Sequence, residues 1–287
     1  MKISTLIKII NFIKTLLPSK LQDYILKKLK KETYLSQVEF HLVDNCNLNC
    51  AYCDHFSPLA EEKFHSIDSI LDDFKKLKKI FDNIGKIYIL GGEPLLHPDI
   101  LEIFAPIRKI YPKSKIAIIT NGILLNKQND TFWKQLKENN ITLSMTHYPI
   151  NVDYEKYIEK CNSMGIKVCY FGLDRNKMQN MNLDIKGKRN KTKAFMQCTR
   201  KKCHFLSNGK LYLCTLVPNV KFLNKYFNLN FKVQKSDYID LNKIKSASKI
   251  NKIFSKPIDF CAYCNDEKVK FCSYHVSKRE KSEWVKE

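Results

Sequence analysis

The sequence predicts an α/β protein: a parallel sheet wrapped as a barrel or partial barrel, followed by a smaller cysteine-rich C-terminal region. Two observations carry this. From residue 37 onward, short apolar strand patterns alternate with helical ones across short connections, the texture of repeated βα units. After about residue 190 the alternation stops and cysteines return. The natural divisions are therefore residues 1–34, 35–190 and 191–287.

In the first unit Ile3, Leu6, Ile7, Ile10, Ile13 and Leu17 recur at helical spacing, and Ile9, Phe12 and Leu16 widen the face. Lys2, Lys8, Asn11 and Lys14 lie largely opposite. Pro18 breaks the pattern, and Leu21, Tyr24, Ile25 and Leu29 begin a second helix that ends in KKLKK. Such basic amphipathic helices either pack on the main domain or lie on an anionic membrane surface. The second unit opens with a strand at 38–43, a helix at 67–84 and a strand at 86–90. A helix at 98–110 leads to a strand at 115–120, then a helix at 129–139 and a strand at 141–145. A helix at 152–163 and a strand at 166–172 close the alternation. In the third unit CHFLSNGKLYLC, residues 203–214, places two short strands around Asn208-Gly209, a two-residue hairpin signal. Residues 241–254 read as a helix.

The chain has 287 residues, 44% of them apolar, enough to bury a sizeable core. Its formal charge is +21, from 50 Lys+Arg against 29 Asp+Glu. That balance suits an anionic lipid or a phosphorylated substrate. The chain is also rich in Lys, Ile and Asn throughout, so composition alone accounts for much of the charge. No nucleic-acid motif or dense basic stripe with interleaved aromatics is present, so no nucleic-acid partner is expected. Eleven cysteines would suit a secreted disulfide protein. Lys8 and Lys14 interrupt the N-terminal apolar run, however, and no small-residue cleavage site follows. The expected address is a reducing cytoplasm, with peripheral membrane contact as a second option, and the expected use of the cysteines is metal binding. No run of 18 uninterrupted apolar residues is present.

The informative stretch is VDNCNLNCAYCDHFSP, Val43–Pro58, in which Cys46, Cys50 and Cys53 follow a strand. Barrels of this kind present their reactive loops at that end of a strand. Three thiolates are one short of a closed four-ligand site. Zinc remains open, with Asp54 or His55 as the fourth ligand. An iron–sulfur cube held by three cysteines instead keeps one iron exposed, able to chelate an amino acid's amine and carboxylate.

This C-x3-C-x2-C spacing, Tyr52 before the third cysteine, and Gly91-Gly92-Glu93-Pro94 at the end of the next strand resemble the radical S-adenosylmethionine (SAM) superfamily. The resemblance covers roughly residues 37–180. It implies a partial (β/α)6 TIM-like barrel with a small C-terminal cysteine-rich iron–sulfur extension. It implies that Cys46, Cys50 and Cys53 hold a [4Fe–4S] cluster whose open iron binds S-adenosylmethionine. Gly91, Gly92 and Glu93 would then meet the methionyl amine, and Tyr52 the adenine. Asn121, in the Thr120–Gly122 tripeptide, and Ser144 would be further cofactor contacts, Ser144 at the ribose. The Asp-Gly that often follows such a serine is missing here. Reductive cleavage would give methionine and a 5′-deoxyadenosyl radical that takes hydrogen from an inert C–H bond. Asp54 and His55 are the candidates for orienting substrate or moving a proton; as residues of a capped turn they need do neither.

The second cysteine set is Cys198 and Cys214, flanking the hairpin, with Cys261 and Cys264. Zinc and [4Fe–4S] both accept four cysteines. Beside the first motif, the pattern resembles the SPASM extension of radical SAM enzymes, and more closely its shortened Twitch form. That implies one auxiliary [4Fe–4S] cluster, with Cys203 or Cys272 as alternate ligands. Cys161 and Cys169 fall on core elements and read as buried thiols. The Twitch-like spacing is similar to that of aminocyclitol dehydrogenases, implying oxidation of a small molecule or carbohydrate such as a sugar or polyol. Peptide maturation is the alternative enzyme class, and a non-catalytic metal-binding protein the alternative outside catalysis. A low-potential electron donor such as flavodoxin or ferredoxin would be the protein partner.

Overall fold

The computed structural model describes residues 33–170, 177–180, 182–265, 267 and 270–286. The N-terminal amphipathic helices, and with them the membrane expectation, lie outside the described residues apart from Thr33 and Tyr34.

Four βα units follow one another: β1 (Tyr34–His41), α1 (Ile67–Lys78), β2 (Asn83–Leu90), α2 (Phe104–Ile110), β3 (Lys115–Thr120), α3 (Asp130–Glu138), β4 (Ile141–Met145), α4 (Tyr154–Met164) and β5 (Val168–Tyr170). Strands β1 to β5 lie side by side in chain order, all parallel. The helices start and stop for local reasons. In α1 the Ser66 side chain accepts from Ser69 N, Asp68 sits in the first turn, and Lys75, Lys76 and Lys78 sit in the last. Its Ile67, Ile70, Leu71, Phe74 and Leu77 are buried on one face. The helix ends at Lys78 rather than 84, because Asn83 and Ile84 already belong to β2, where Ile87 and Ile89 alternate inward. The segment read as a helix from 98 begins as a 3-10 turn, Ile100–Ile103, before α2.

The chain continues through β6 (Lys177–Asn180), β7 (Leu183–Asp184), α5 (Lys191–Gln197) and the hairpin β8 (His204–Ser207) and β9 (Lys210–Tyr212). Asn208 and Gly209 both take positive φ, 51° and 72°, as a two-residue hairpin turn requires. Gly209 N donates to Asp73 Oδ1 on α1 at 2.8 Å, which pins the turn to that helix. After α6 (Leu216–Phe227) come β10 (Tyr238–Asp240), α7 (Ala247–Phe254), β11 (Lys270–Ser273) and β12 (Val285–Lys286). Helix α7 spans only the end of the 241–254 expectation, capped by Ser246.

The C-terminal region does not stand apart. Strand β8 joins β1 in parallel, Val38 opposite His204 and Glu39 opposite Phe205, and β9 and β10 extend that edge antiparallel. The described eight-stranded sheet runs β10-β9-β8-β1-β2-β3-β4-β5. Its sixth parallel strand thus sits beside β1, not after β5. Strand β1 becomes an interior strand, so its C-terminal loop is held from both sides. On β1, Phe40 packs on Phe74 of α1 with ring centroids 5.1 Å apart. By the two-residue period, Gln37, Glu39 and His41 face the opposite, interior side.

Candidate active site

The loop after β1 carries Cys46, Cys50 and Cys53, and backbone holds it in place. Gly92 N donates to Val43 O at 2.8 Å and Glu93 N to Asn45 O at 3.2 Å. A Cβ on Gly91 would fall 2.4 Å from Val43 O, and one on Gly92 only 2.0 Å from Asn45 O. The two glycines are therefore required by the cysteine loop itself, before any ligand is considered. Tyr52 and Phe56 take left-handed φ values of 57° and 54°, unusual for aromatic residues and typical of a loop over-determined by its surroundings.

The outer side of the loop is held by the end of the chain, which the sequence reading did not anticipate. Ala51 N donates to His275 O at 3.1 Å, Ser277 N to Asn49 O at 2.8 Å, and Trp284 Nε1 to Cys53 O at 3.0 Å. Nothing periodic in residues 274–286 signals this.

A cleft of about 870 Å³, mouth included, opens at the C-terminal ends of β1 to β4. Cys46, Cys50, Cys53, Asp54, His55, Gly91, Gly92, Glu93 and Asn121 all line it. Two expected cofactor contacts do not. The Tyr52 ring meets His275 edge-on at 5.4 Å, held outward by the left-handed backbone. Ser144 is fully buried and accepts from the Cys169 thiol at 3.2 Å on the neighbouring strand; Thr146, just beyond β4, supplies the wall there.

Glu93 organises one side of the cleft. Its Oε1 accepts from Thr120 Oγ1 at 2.7 Å and Leu95 N at 3.1 Å, and its Oε2 from Asn121 N at 2.9 Å. Burial pushes this carboxyl up to about 7 despite those donors. Asn121 Nδ2 donates to Asn47 Oδ1 at 2.8 Å and lies 3.7 Å from Cys46 Sγ. Burial, then the nearby Glu93 charge, raises the Cys46 thiol well above its ordinary range. Burial, then Asp54, pushes Cys53 up to about 11. Two buried hydroxyls, Ser57 Oγ and Tyr274 OH, lie against cysteines, Cys53 and Cys50 respectively. Desolvated thiols with hydroxyl donors beside them fit a metal cluster that would hold them as thiolates and leave their sulfurs as acceptors.

Asp54 and His55 enter different networks. Asp54 Oδ2 pairs with Arg200 Nε at 2.6 Å; Arg200 Nη1 donates to Gln179 Oε1 at 2.9 Å, and Arg200 N to Cys198 Sγ at 3.3 Å. Asp54 thus ties the first cysteine loop to the second. His55 Nδ1 lies 2.7 Å from His41 Nε2 and 3.1 Å from Thr215 Oγ1. Beyond His41, Asp44 Oδ1 meets both His41 Nδ1 at 3.2 Å and His65 Nε2 at 2.8 Å. Burial depresses His41 to about 4. Burial works to raise Asp44, but the His41 and His65 hydrogen bonds outweigh it and hold that carboxyl well below the usual range.

The second cysteine set also assembles. Cys198, Cys214, Cys261 and Cys264 line one cavity of about 690 Å³, mouth included, walled by Phe195, Leu213, Leu216, Ile258 and Phe260. Cys198 caps α5, Cys214 follows β9, and the other two lie on or next to the 3-10 turn Asp259–Tyr263. Burial, then the charges of Cys214, Cys261 and Cys198, raises Cys264 well above its ordinary range. Cys203 lies elsewhere, pushed up to about 12 by burial and then by Glu39 and Asp54. Cys272, on β11, donates to Met178 O at 3.4 Å. Cys161 is buried, as expected, but Cys169 is exposed. Among the described residues no three His, Cys, Asp or Glu converge tightly enough to hold a single metal ion.

Residues 41–174, the span from the end of β1 past β5, match the Radical SAM superfamily. The chain carries a radical SAM domain. The superfamily works with a [4Fe–4S] cluster and S-adenosylmethionine, and the cleft lies inside the matched span apart from Glu39 and Met178. A GTP 3′,8-cyclase of Clostridium perfringens (strain 13 / Type A) is 36% identical over 120 residues, covering 39% of this chain and 36% of the relative. Molybdenum cofactor biosynthesis protein 1 of Dictyostelium discoideum is 37% identical over 109 residues, covering 37% of this chain and 16% of the relative. The chain thus spans about a third or less of the length of these curated relatives. Among solved structures, BtrN in complex with AdoMet and 2-DOIA superposes with a TM-score of 0.51 at 17% identity, covering 80% of this chain and 93% of that one. That likeness extends the shared fold beyond the radical SAM domain into the cysteine-rich region. Among the described residues no helix is long and apolar enough to cross a membrane.

Proposed function

We propose that this radical SAM protein is an oxidoreductase acting on a small hydroxylated molecule, a sugar or polyol, with two iron–sulfur sites. Cys46, Cys50 and Cys53 would hold the cluster that binds S-adenosylmethionine, and Cys198, Cys214, Cys261 and Cys264 an auxiliary one. When bound, the reduced first cluster and S-adenosylmethionine supply a one-electron, hydrogen-abstracting oxidant. The observation that carries the reading is the pairing of two cysteine sites through one bridge, Asp54 to Arg200 to Cys198. After the hydrogen atom, oxidation of a carbinol removes the hydroxyl proton and a second electron; His55 on the cleft wall would take the proton, and a four-cysteine site next to the cleft is a place to receive the electron.

The remaining roles belong to the chain. Glu93 fixes Asn121 and Thr120 on the cleft wall. Asn121 holds Asn47 and the cysteine loop. Asp54 and Arg200 keep the two cysteine loops in register. A flavodoxin or ferredoxin would supply the low-potential electron.

A second reading takes the substrate class from the names of the GTP 3′,8-cyclase relatives, a nucleotide. A triphosphate calls for cations, and among the described residues lining the cleft none is Lys or Arg. The polyol reading is favoured for that reason.

The test is to incubate anaerobically reconstituted, reduced protein with a metabolite extract and measure 5′-deoxyadenosine. We expect its formation to rise with a neutral or amine-bearing polyol fraction. A response confined to nucleotides would overturn the polyol reading in favour of the second.

A further inference from the structure

Each sulfur of the first cysteine loop has a hydrogen-bond donor of this chain beside it. Cys46 Sγ accepts from Leu48 N at 3.4 Å and has Asn121 Nδ2 at 3.7 Å. Cys53 has the Ser57 hydroxyl beside it. Leu48 and Ser57 follow closely in the chain, and Asn121 belongs to the turn after β3. Cys50 is different. It is 6% exposed, and the hydroxyl against it is that of Tyr274, from the C-terminal tail.

Backbone places Tyr274 there. It follows β11, and the next residues run antiparallel to the cysteine loop. Ala51 N donates to His275 O at 3.1 Å, Val276 bridges Cys50, and Ser277 N donates to Asn49 O at 2.8 Å. The Tyr274 ring meets that of Tyr148, on the cleft wall, with centroids 5.4 Å apart. The Tyr274 hydroxyl is buried, and among the described residues no oxygen accepts from it. A buried hydroxyl needs an acceptor. A neutral thiol sulfur is a weak one, whereas a thiolate sulfur in a metal cluster keeps charge and lone pairs and is a strong one. The tyrosine therefore suits Cys50 as a cluster ligand better than as a thiol.

We propose that Tyr274 is a positioning residue of the first cluster: its hydroxyl donates to the Cys50 sulfur and raises the cluster's reduction potential, which makes the docked C-terminal tail part of the electron-receiving machinery. This rests on the reading of Cys46, Cys50 and Cys53 as the cluster ligands. A hydrogen bond to a ligand sulfur draws electron density from it and favours the reduced, more negative cluster. The effect is local. Tyr274 and the residues that dock it meet Cys50 and its neighbours, whereas Cys198, Cys214, Cys261 and Cys264 line a separate cavity. Loss of the hydrogen bond lowers the first potential and leaves the second where it is.

Tyr274→Phe keeps the ring and its contact with Tyr148 and removes the hydroxyl. The test is a spectroelectrochemical titration of the fully reconstituted wild type and variant, the first cluster being followed by the electron paramagnetic resonance signal that responds to S-adenosylmethionine. The reduction equilibrium of the first cluster should shift about tenfold toward the oxidised form in the variant, about 59 mV for one electron, with the second cluster unmoved. After exchange into heavy water, electron–nuclear double resonance of the reduced first cluster should show a strongly coupled deuteron in the wild type that the variant lacks. 3-Fluorotyrosine placed at position 274 covers the case in which the Phe variant loses its first-site iron: it keeps the ring, donates more strongly and should raise the potential above that of the wild type. An unchanged first potential in Tyr274→Phe with its iron retained overturns the proposal. So does an equal shift of both clusters, or a fluorotyrosine protein at or below the wild-type potential. Failure of the cluster assignment shows separately, as a wild type without any signal that responds to S-adenosylmethionine, and overturns the proposal with it.

Discussion

The two cysteine sites are built on opposite plans. Cys46, Cys50 and Cys53 lie on one loop, so their proximity is written into the local sequence and secured by the Gly91-Gly92 backbone. Cys198, Cys214, Cys261 and Cys264 come from three segments and meet only when β8, β9 and the 3-10 turn at Asp259–Tyr263 have folded. Their surroundings differ to match. The first opens on a cleft with three carboxylates, an imidazole and an amide; the second is enclosed mainly by Phe195, Leu213, Leu216, Ile258 and Phe260. The first, proposed to admit ligands, carries a few placed polar groups on its wall; the second, proposed to accept an electron, exposes mostly apolar surface, with Gln179, Arg200 and Lys201 at its edge.

The sharpest way to break this comparison is to empty each site in turn. A Cys46→Ala/Cys50→Ala/Cys53→Ala variant should give no detectable 5′-deoxyadenosine under dithionite, and iron should fall from about eight to about four per chain. Cys261→Ala/Cys264→Ala should show the same iron loss with the opposite kinetics: uncoupled cleavage of S-adenosylmethionine survives while oxidised product disappears. Finding about four irons and one zinc in the wild type would make the second site a structural clamp and remove the electron-acceptor role.

Next in size is Gly92→Ala. Its Cβ would stand 2.0 Å from Asn45 O and 2.7 Å from Cys46 N, both backbone atoms of a loop already held on two sides. The loop must move, and thermal unfolding should report a loss of about 3 kcal/mol or more. Iron bound at the first site should fall while the second site keeps its own. Wild-type iron content in both would show that the glycine serves ligand access and not the loop.

The second region carries its own acid sensitivity. His204, on β8, is depressed to about 4 by burial, with Leu213 O at 3.2 Å partly offsetting it. Its folded value lies below the unfolded one, so folding favours the neutral ring. The stability it contributes is complete above about pH 6.5 and is lost as pH falls toward 4, by about 3 kcal/mol in order of magnitude. Urea unfolding across that window should therefore be steeper in the wild type than in His204→Phe, whose ring can keep the stacking on Phe254. Parallel slopes would mean that His204 titrates normally.

What the sequence made legible follows the same division. The strand period of residues 115–120 and 141–145, the Asn208-Gly209 turn and the three-cysteine loop are local, and each was readable from neighbours in the chain. The four distant cysteines could be proposed as one set because their spacing resembles a known pattern. What escaped is tertiary. Strand β8 pairs with β1 through only Val38–His204 and Glu39–Phe205, a choice no periodicity records. Tyr52 and Ser144 have residue types suited to a cofactor, but neither lines the cleft: Tyr52 meets His275 from a left-handed backbone, and Ser144 accepts from Cys169. Glu39 is one polar position within β1, and only the assembled sheet shows that it lines the cleft.

The clamp by the C-terminal tail is the least legible feature and gives the smallest expected effect. Trp284 is 3% exposed and packs near Phe227, with ring centroids 6.2 Å apart, so most of its contribution is apolar burial that Phe can partly keep. What Phe cannot supply is the Nε1–H donated to Cys53 O at 3.0 Å. Trp284→Phe should therefore cost about 1 kcal/mol for the hydrogen bond, plus a modest packing loss. The consequence should be regional. The Cys53 carbonyl belongs to the first site alone, so amide exchange should quicken across residues 49–56 and stay unchanged around Cys214 and Cys261. If exchange quickened equally at both sites, the tail would be supporting the whole molecule, and the independence of the two cysteine sites would not hold.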